Sequence, residues 1–116
     1  MATTGLQLFG RKKCRITQKA ERFFRDRGIS FQFVDLEQKP LSRGELSSVA
    51  AAVGVEALID TDSKTFRSRG MQHLVYEPME ELMEHPGLVR SPVVRRGAAA
   101  CVGNDPDGWK RLAESG

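Results

Sequence analysis

Apolar positions change their period several times along the chain, and each change marks an element. Leu6, Leu8 and Phe9 form a short strand-like run that ends at Gly10, and between Cys14 and Arg27 the residues Ile16, Ala20, Phe23 and Phe24 recur at the spacing of a helix with one buried face. Gly28 closes that helix. The run from Phe31 to Asp35 alternates apolar with polar and predicts a second strand. Strand, crossover helix and strand make the parallel β-α-β unit, whose right-handed connection sets the loop after the first strand at the carboxyl edge of the sheet. Cys14 falls in or just after that loop.

Ser42 and Glu45 form a capping box, each side chain satisfying a backbone donor ahead of a helix that runs through Val53 to Gly54. The stretch from Val55 to Gly70 is polar and broken, with short helical turns expected at Ala57 to Ile59 and at Ser63 to Arg67. Pro78 opens a helix whose Met79, Leu82 and Met83 share one face, and Pro86 stops it. Pro92 to Val94, an Arg96-Gly97 turn and Ala98 to Val102 read as a hairpin. Asp105 and Pro106 then cap and open a last helix with Trp109, Leu112 and Ala113 on one side. Phe23, Phe24 and Trp109 are expected in the core. The order is β-α-β, a helical insertion, then β-β-α, which predicts an α/β thioredoxin-like fold with the insertion between its two halves, in a single domain over residues 1–116.

Composition narrows the function classes. The 116 residues are 40% hydrophobic and 28% charged, which supplies one core and excludes a disordered chain. No apolar run approaches the ~20 residues of a membrane span, and Leu6 to Phe9 is too short for a signal-peptide core, so a cytoplasmic protein without membrane contact is expected. Eighteen Lys and Arg against fifteen Asp and Glu leave a formal charge of +3, too little to predict direct nucleic-acid binding. The two cysteines, Cys14 and Cys101, are too few for a disulfide scaffold and lack the spacing of a zinc site. No bound metal or cofactor is expected.

Cys14 carries the chemistry. At the start of a helix it meets unpaired backbone N–H groups and the positive end of the helix dipole, both of which favour thiolate. Arg11, Lys12, Lys13 and Arg15 crowd the same point, though such a cluster can also be read as a solvated loop. Settings of this kind lower a thiol pKa from about 8.5 to about 3.5–7.5, so Cys14 is the candidate nucleophile. Thr17 stands where a dithiol oxidoreductase has its second cysteine. Its hydroxyl can bond the thiolate but cannot resolve a disulfide. Cys101, in an apolar strand pattern, reads as a core residue on the far strand of the hairpin, too distant to form a disulfide with Cys14. Arg90 is either an anion contact or surface charge.

Taken in order, Leu8-Phe9-Gly10, Cys14, Gln18-Lys19-Ala20, Asp35, Ser42 to Leu46, Gly54 to Ile59, His85-Pro86, Ser91-Pro92-Val93-Val94 and Val102-Gly103 resemble the arsenate reductase (ArsC)-like family, which includes the Spx regulators and the YffB proteins. The resemblance runs from Leu6 to Leu112. It implies a thioredoxin-like fold, Cys14 as the catalytic cysteine, and a cis proline at Pro92 facing it. The expected substrate contacts are Lys12, Lys13, Arg15, Thr17, Arg90, Ser91 and Pro92. The family's three oxyanion-binding arginines align with Asp60, Ser91 and Val102, and losing three guanidiniums weakens arsenate binding. The expectation is a monothiol reductase served by glutathione as co-substrate, or by glutaredoxin. The alternatives are a non-catalytic Spx-like regulator that binds RNA polymerase, and a true arsenate reductase.

Overall fold

The alternation of Leu6, Leu8 and Phe9 builds the first strand, β1 (Leu6–Gly10), in the computed structural model, which describes residues 5–114. Helix α1 (Arg15–Asp26) follows, then strand β2 (Gln32–Asp35), paired in parallel with β1 so that Gly10 lies opposite Asp35. The insertion comprises α2 (Arg43–Val53), α3 (Lys64–Ser68) and α4 (Pro78–Glu84), with single 3₁₀ turns at Val55–Leu58, Met71–His73 and Pro86–Leu88. Strands β3 (Val93–Arg96) and β4 (Ala99–Val102) form an antiparallel hairpin, and α5 (Pro106–Glu114) closes the chain. The sheet order is β2-β1-β3-β4, with β3 antiparallel to β1. This is the thioredoxin-like α/β arrangement with a helical insertion. Residues 1–4 and 115–116, the ends of the domain expected over 1–116, lie outside the described residues.

Period-two alternation divides the sheet between two cores. Leu6 and Leu8 of β1, Val94 of β3 and Cys101 of β4 face α1 and α5, where they meet Phe24 and Trp109. Phe9 and Val93 face the other way, against Leu46 and Val49 of α2 and against Leu58 and Leu88 of the insertion. Each fully buried Leu or Phe contributes about 1.5–3 kcal/mol relative to exposure, so both faces anchor the central strands. Those strands carry the ends on which the site is built.

Local chemistry accounts for the caps. Ser42 Oγ accepts from Glu45 N–H at 3.1 Å and Ser42 N–H donates to Glu45 Oε1 at 2.9 Å, completing the capping box. Ser63 caps α3 through Phe66 N–H, and Asp105 caps α5 through Gly108 N–H at 3.0 Å.

The structure moves several boundaries. Cys14 is the N-cap residue of α1, not part of its first turn, and β2 begins at Gln32, one residue later than expected. The hairpin turn is Gly97-Ala98, not Arg96-Gly97, because Arg96 pairs with Ala99. Gly97, at φ 60°, supplies the positive φ that a type II′ hairpin needs at its first loop residue. Ile59 leaves the helical turn and bridges Val89. α4 ends at Glu84, and Pro86 opens the next 3₁₀ turn. Phe23 is half-buried, with the Arg27 guanidinium 3.6 Å above its ring, while Phe24 and Trp109 are core as expected.

Candidate active site

The turn between β1 and α1 is fixed from within. Cys14 N–H donates to Arg11 O at 2.9 Å, and Gln18 Nε2 reaches back to Lys12 O at 2.8 Å. Thr17, one turn into α1, is fully buried, and its Oγ1 accepts Arg11 N–H at 3.3 Å. Gly10 makes room for it, since a Cβ there would lie 2.7 Å from Thr17 Oγ1. The first turn of α1 holds no acidic side chain, so nothing of opposite charge competes with the cysteine for the positive end of the helix.

Ser91 approaches from the far half of the chain. The Ser91–Pro92 peptide is cis, as the resemblance implied, and Pro92 is buried. Ser91 Oγ donates to Cys14 Sγ at 3.3 Å, and the thiol faces Ser91 O at 3.9 Å. Burial of Cys14 pushes its pKa up, but hydrogen bonds from the Ser91 and Thr17 hydroxyls and from the N–H groups of Thr17 and Ile16 outweigh it. The thiol therefore sits below its ordinary value. These donors, rather than the basic side chains beside it, carry the shift.

Cys14 opens onto a cleft of about 500 Å³ lined also by Arg11, Lys12, Lys13, Asp35 and Glu37. Two exposed lysines thus share the cleft with two carboxylates. Among the described residues no group of three or more His, Cys, Asp or Glu is placed to hold a metal ion. None of their helices is long and apolar enough to cross a membrane.

Of the residues singled out from sequence, the fold brings Cys14, Thr17 and Ser91 together beside Pro92, with Lys12 and Lys13 lining the same cleft. Arg15 is exposed at the first position of α1. Arg90 lies outside this group. Its Nε and Nη2 donate to Ala57 O and Ile59 O at 3.2 and 3.0 Å, and Nη1 is 4.0 Å from Asp60 Oδ1, so it fastens the insertion to the segment ahead of Pro92. Asp60 Oδ1 accepts Asp62 N–H, and Val102 packs against the core. Sequence reasoning missed Arg11 as an individual. Its place three residues before Cys14 was the signal, but its partners at Glu37, Pro86 and Val89 are visible only in three dimensions.

The sequence model of the ArsC family matches residues 9–112. The chain belongs to the ArsC family. Solved structures agree at the level of the fold. The YffB protein (PA3664) superposes with a TM-score of 0.82 at 22% identity, covering 93% of this chain and 98% of its own. An arsenate reductase from Vibrio cholerae gives 0.82 at 17%, covering 96% and 99%. A protein related to the ArsC family from Bacteroides fragilis gives 0.86 at 18%, covering 96% and 99%. No curated protein matches the chain. Membership places this ArsC-family chain among thioredoxin-fold, thiol-oxidoreductase-like proteins.

Proposed function

We propose that this ArsC-family chain is a monothiol reductase in which the Cys14 thiolate attacks an oxidised sulfur and glutathione or glutaredoxin resolves the product. The observation that carries the reading is the Cys14 sulfur itself, open to a cleft and held by two hydroxyl donors that favour its ionised form. Attack on a disulfide breaks its S–S bond, forms a mixed disulfide with Cys14 and expels the other half as a thiolate. A glutathione thiolate then attacks the half held on Cys14, which frees the Cys14 thiolate and leaves a mixed disulfide with glutathione; a second glutathione completes the reduction.

Three further features support an external thiol as resolving partner. Thr17 occupies the resolving position, and Cys101 is only 2% exposed, with burial and then Asp105 pushing its thiol up to about 12. The cleft offers Lys12 and Lys13 to the carboxylates of a peptide thiol and Asp35 and Glu37 to its ammonium group. Free, uncrosslinked cysteines suit the reducing cytoplasm. The test is to treat the Cys101→Ser protein with glutathione disulfide. An adduct at Cys14 that glutaredoxin removes is expected, and a reachable Cys14 that forms none would refute the reading.

A further inference from the structure

Arg11 joins three separate parts of the site. Its Nη1 donates to Val89 O at 2.8 Å and its Nη2 to Pro86 O at 3.0 Å, while Nε pairs with Glu37 Oε2 at 3.0 Å. The same residue's main chain closes the Cys14 turn, since Arg11 O accepts Cys14 N–H and Arg11 N–H donates to Thr17 Oγ1. Val89 is two residues before Ser91. One side chain therefore spans from the loop that carries the sulfur to the segment that carries its hydroxyl donor. Its side chain is only 20% exposed and three of its nitrogens are already engaged, so holding the frame is a better use of this guanidinium than binding substrate. On the other side, Arg90 N–H donates to Leu58 O at 2.7 Å and Asp60 N–H to Leu88 O at 2.8 Å, which fixes the same segment to the insertion but not to Cys14.

We infer that Arg11 is a positioning residue for the Cys14 thiolate, acting through Ser91 by setting the separation of the Cys14 turn from the Val89–Ser91 segment. The inference rests on the monothiol reading above. The guanidinium geometry is essential to it, because the two carbonyls are engaged by the two ends of one planar fork, which a single ammonium cannot reproduce. The charges near the sulfur are Lys12 and Lys13 from its own turn, Arg15 from α1, and Asp35 and Glu37 from the β2 side of the cleft. A through-space effect of the Arg11 charge is therefore the competing explanation.

A double-mutant cycle separates the two, with all variants in the Cys101→Ser background and the pH midpoint of Cys14 alkylation as readout. Arg11→Lys keeps the charge and loses the fork, while Arg11→Gln loses both. Each is expected to raise the midpoint by roughly half a unit to one unit, the worth of one hydrogen bond to the sulfur. Neither should move it further once Ser91→Ala is present. A wild-type midpoint in Arg11→Lys, or an undiminished shift of Arg11→Gln on top of Ser91→Ala, would overturn the proposal in favour of charge alone. If Arg11→Gln does not fold, as circular dichroism would show, the Arg11→Lys arm alone decides. If Ser91→Ala raises the midpoint but neither Arg11 variant does, the positioning role fails while the monothiol reading stands. If the parent midpoint is that of an ordinary thiol and Ser91→Ala leaves it there, both fail together.

Discussion

Ser91 Oγ lies 3.3 Å from Cys14 Sγ although 77 residues separate them, and this contact joins the two halves of the fold at the reactive sulfur. One partner comes from the turn after β1, the other from the segment that leads into β3. The contact places a neutral hydroxyl donor, not a guanidinium, against the sulfur.

Removing that donor has a defined sign. Ser91→Ala should raise the Cys14 midpoint, because the hydroxyl favours the ionised sulfur over the neutral thiol. Below the midpoint the thiolate fraction falls, so alkylation near neutral pH slows while the rate plateau at high pH is kept. A fall in the plateau with no midpoint change would show instead that Ser91 governs access.

The close packing of Gly10 on Thr17 predicts a linked loss. Gly10→Ala places a methyl 2.7 Å from a fully buried Thr17 Oγ1 and should destabilise the fold by about 1–3 kcal/mol in urea unfolding, the usual range for overpacking. It should also raise the Cys14 midpoint, because Thr17 must move. Unchanged stability and midpoint would show that Thr17 yields without cost.

Cys101 should be chemically silent and a liability in alkali. Oxidised protein is expected to contain no Cys14–Cys101 bond on peptide mapping, since Cys101 lies in the core on the α1 and α5 face of β4. Its thiol pKa is raised on folding to about 12, so between the ordinary thiol value and that point the folded state holds a proton the unfolded chain has lost. Stability therefore falls as pH rises through this window. Cys101→Ala should lessen that slope, read as the difference between the two proteins' unfolding curves.

Arsenate should be a poor substrate. The hydroxyls of Ser91 and Thr17 face the sulfur, Arg90 is engaged by the insertion, and Asp60 adds a carboxylate at 4.0 Å from Arg90. With glutathione and glutaredoxin supplied, arsenate turnover is expected to stay at background while a disulfide substrate is reduced. Robust arsenate turnover would show that the cations of the cleft, Lys12 and Lys13 first, hold the oxyanion.

Much of this was legible in the chain. Periodicity located the strands and major helices, because Leu6 and Leu8 against Phe9, and Ala20 with Phe24, report directly which side is buried. The Ser42 and Asp105 caps are local chemistry and appear in local sequence. Cys14 and Thr17 were legible because helix spacing alone places them one turn apart. What the sequence could not show were the long-range hydrogen bonds. Arg90 and Arg11 are both arginines beside site residues, yet one fastens the insertion and the other spans the site, a distinction made by which carbonyls each meets. For Cys14 the local donors, the helix-start N–H groups and the Thr17 hydroxyl, are readable from sequence, whereas the Ser91 hydroxyl comes from a distant segment and the basic neighbours do not carry the shift.

The pH dependence of Cys14 alkylation in the Cys101→Ser protein tests the reactive-thiolate reading most directly. An activated nucleophile gives a midpoint clearly below that of an unperturbed thiol, about 8.5, together with rapid labelling at neutral pH. A midpoint at or above that value, or a sulfur that reagents cannot reach, would contradict it and leave a partner-binding protein built on a thiol-reductase fold.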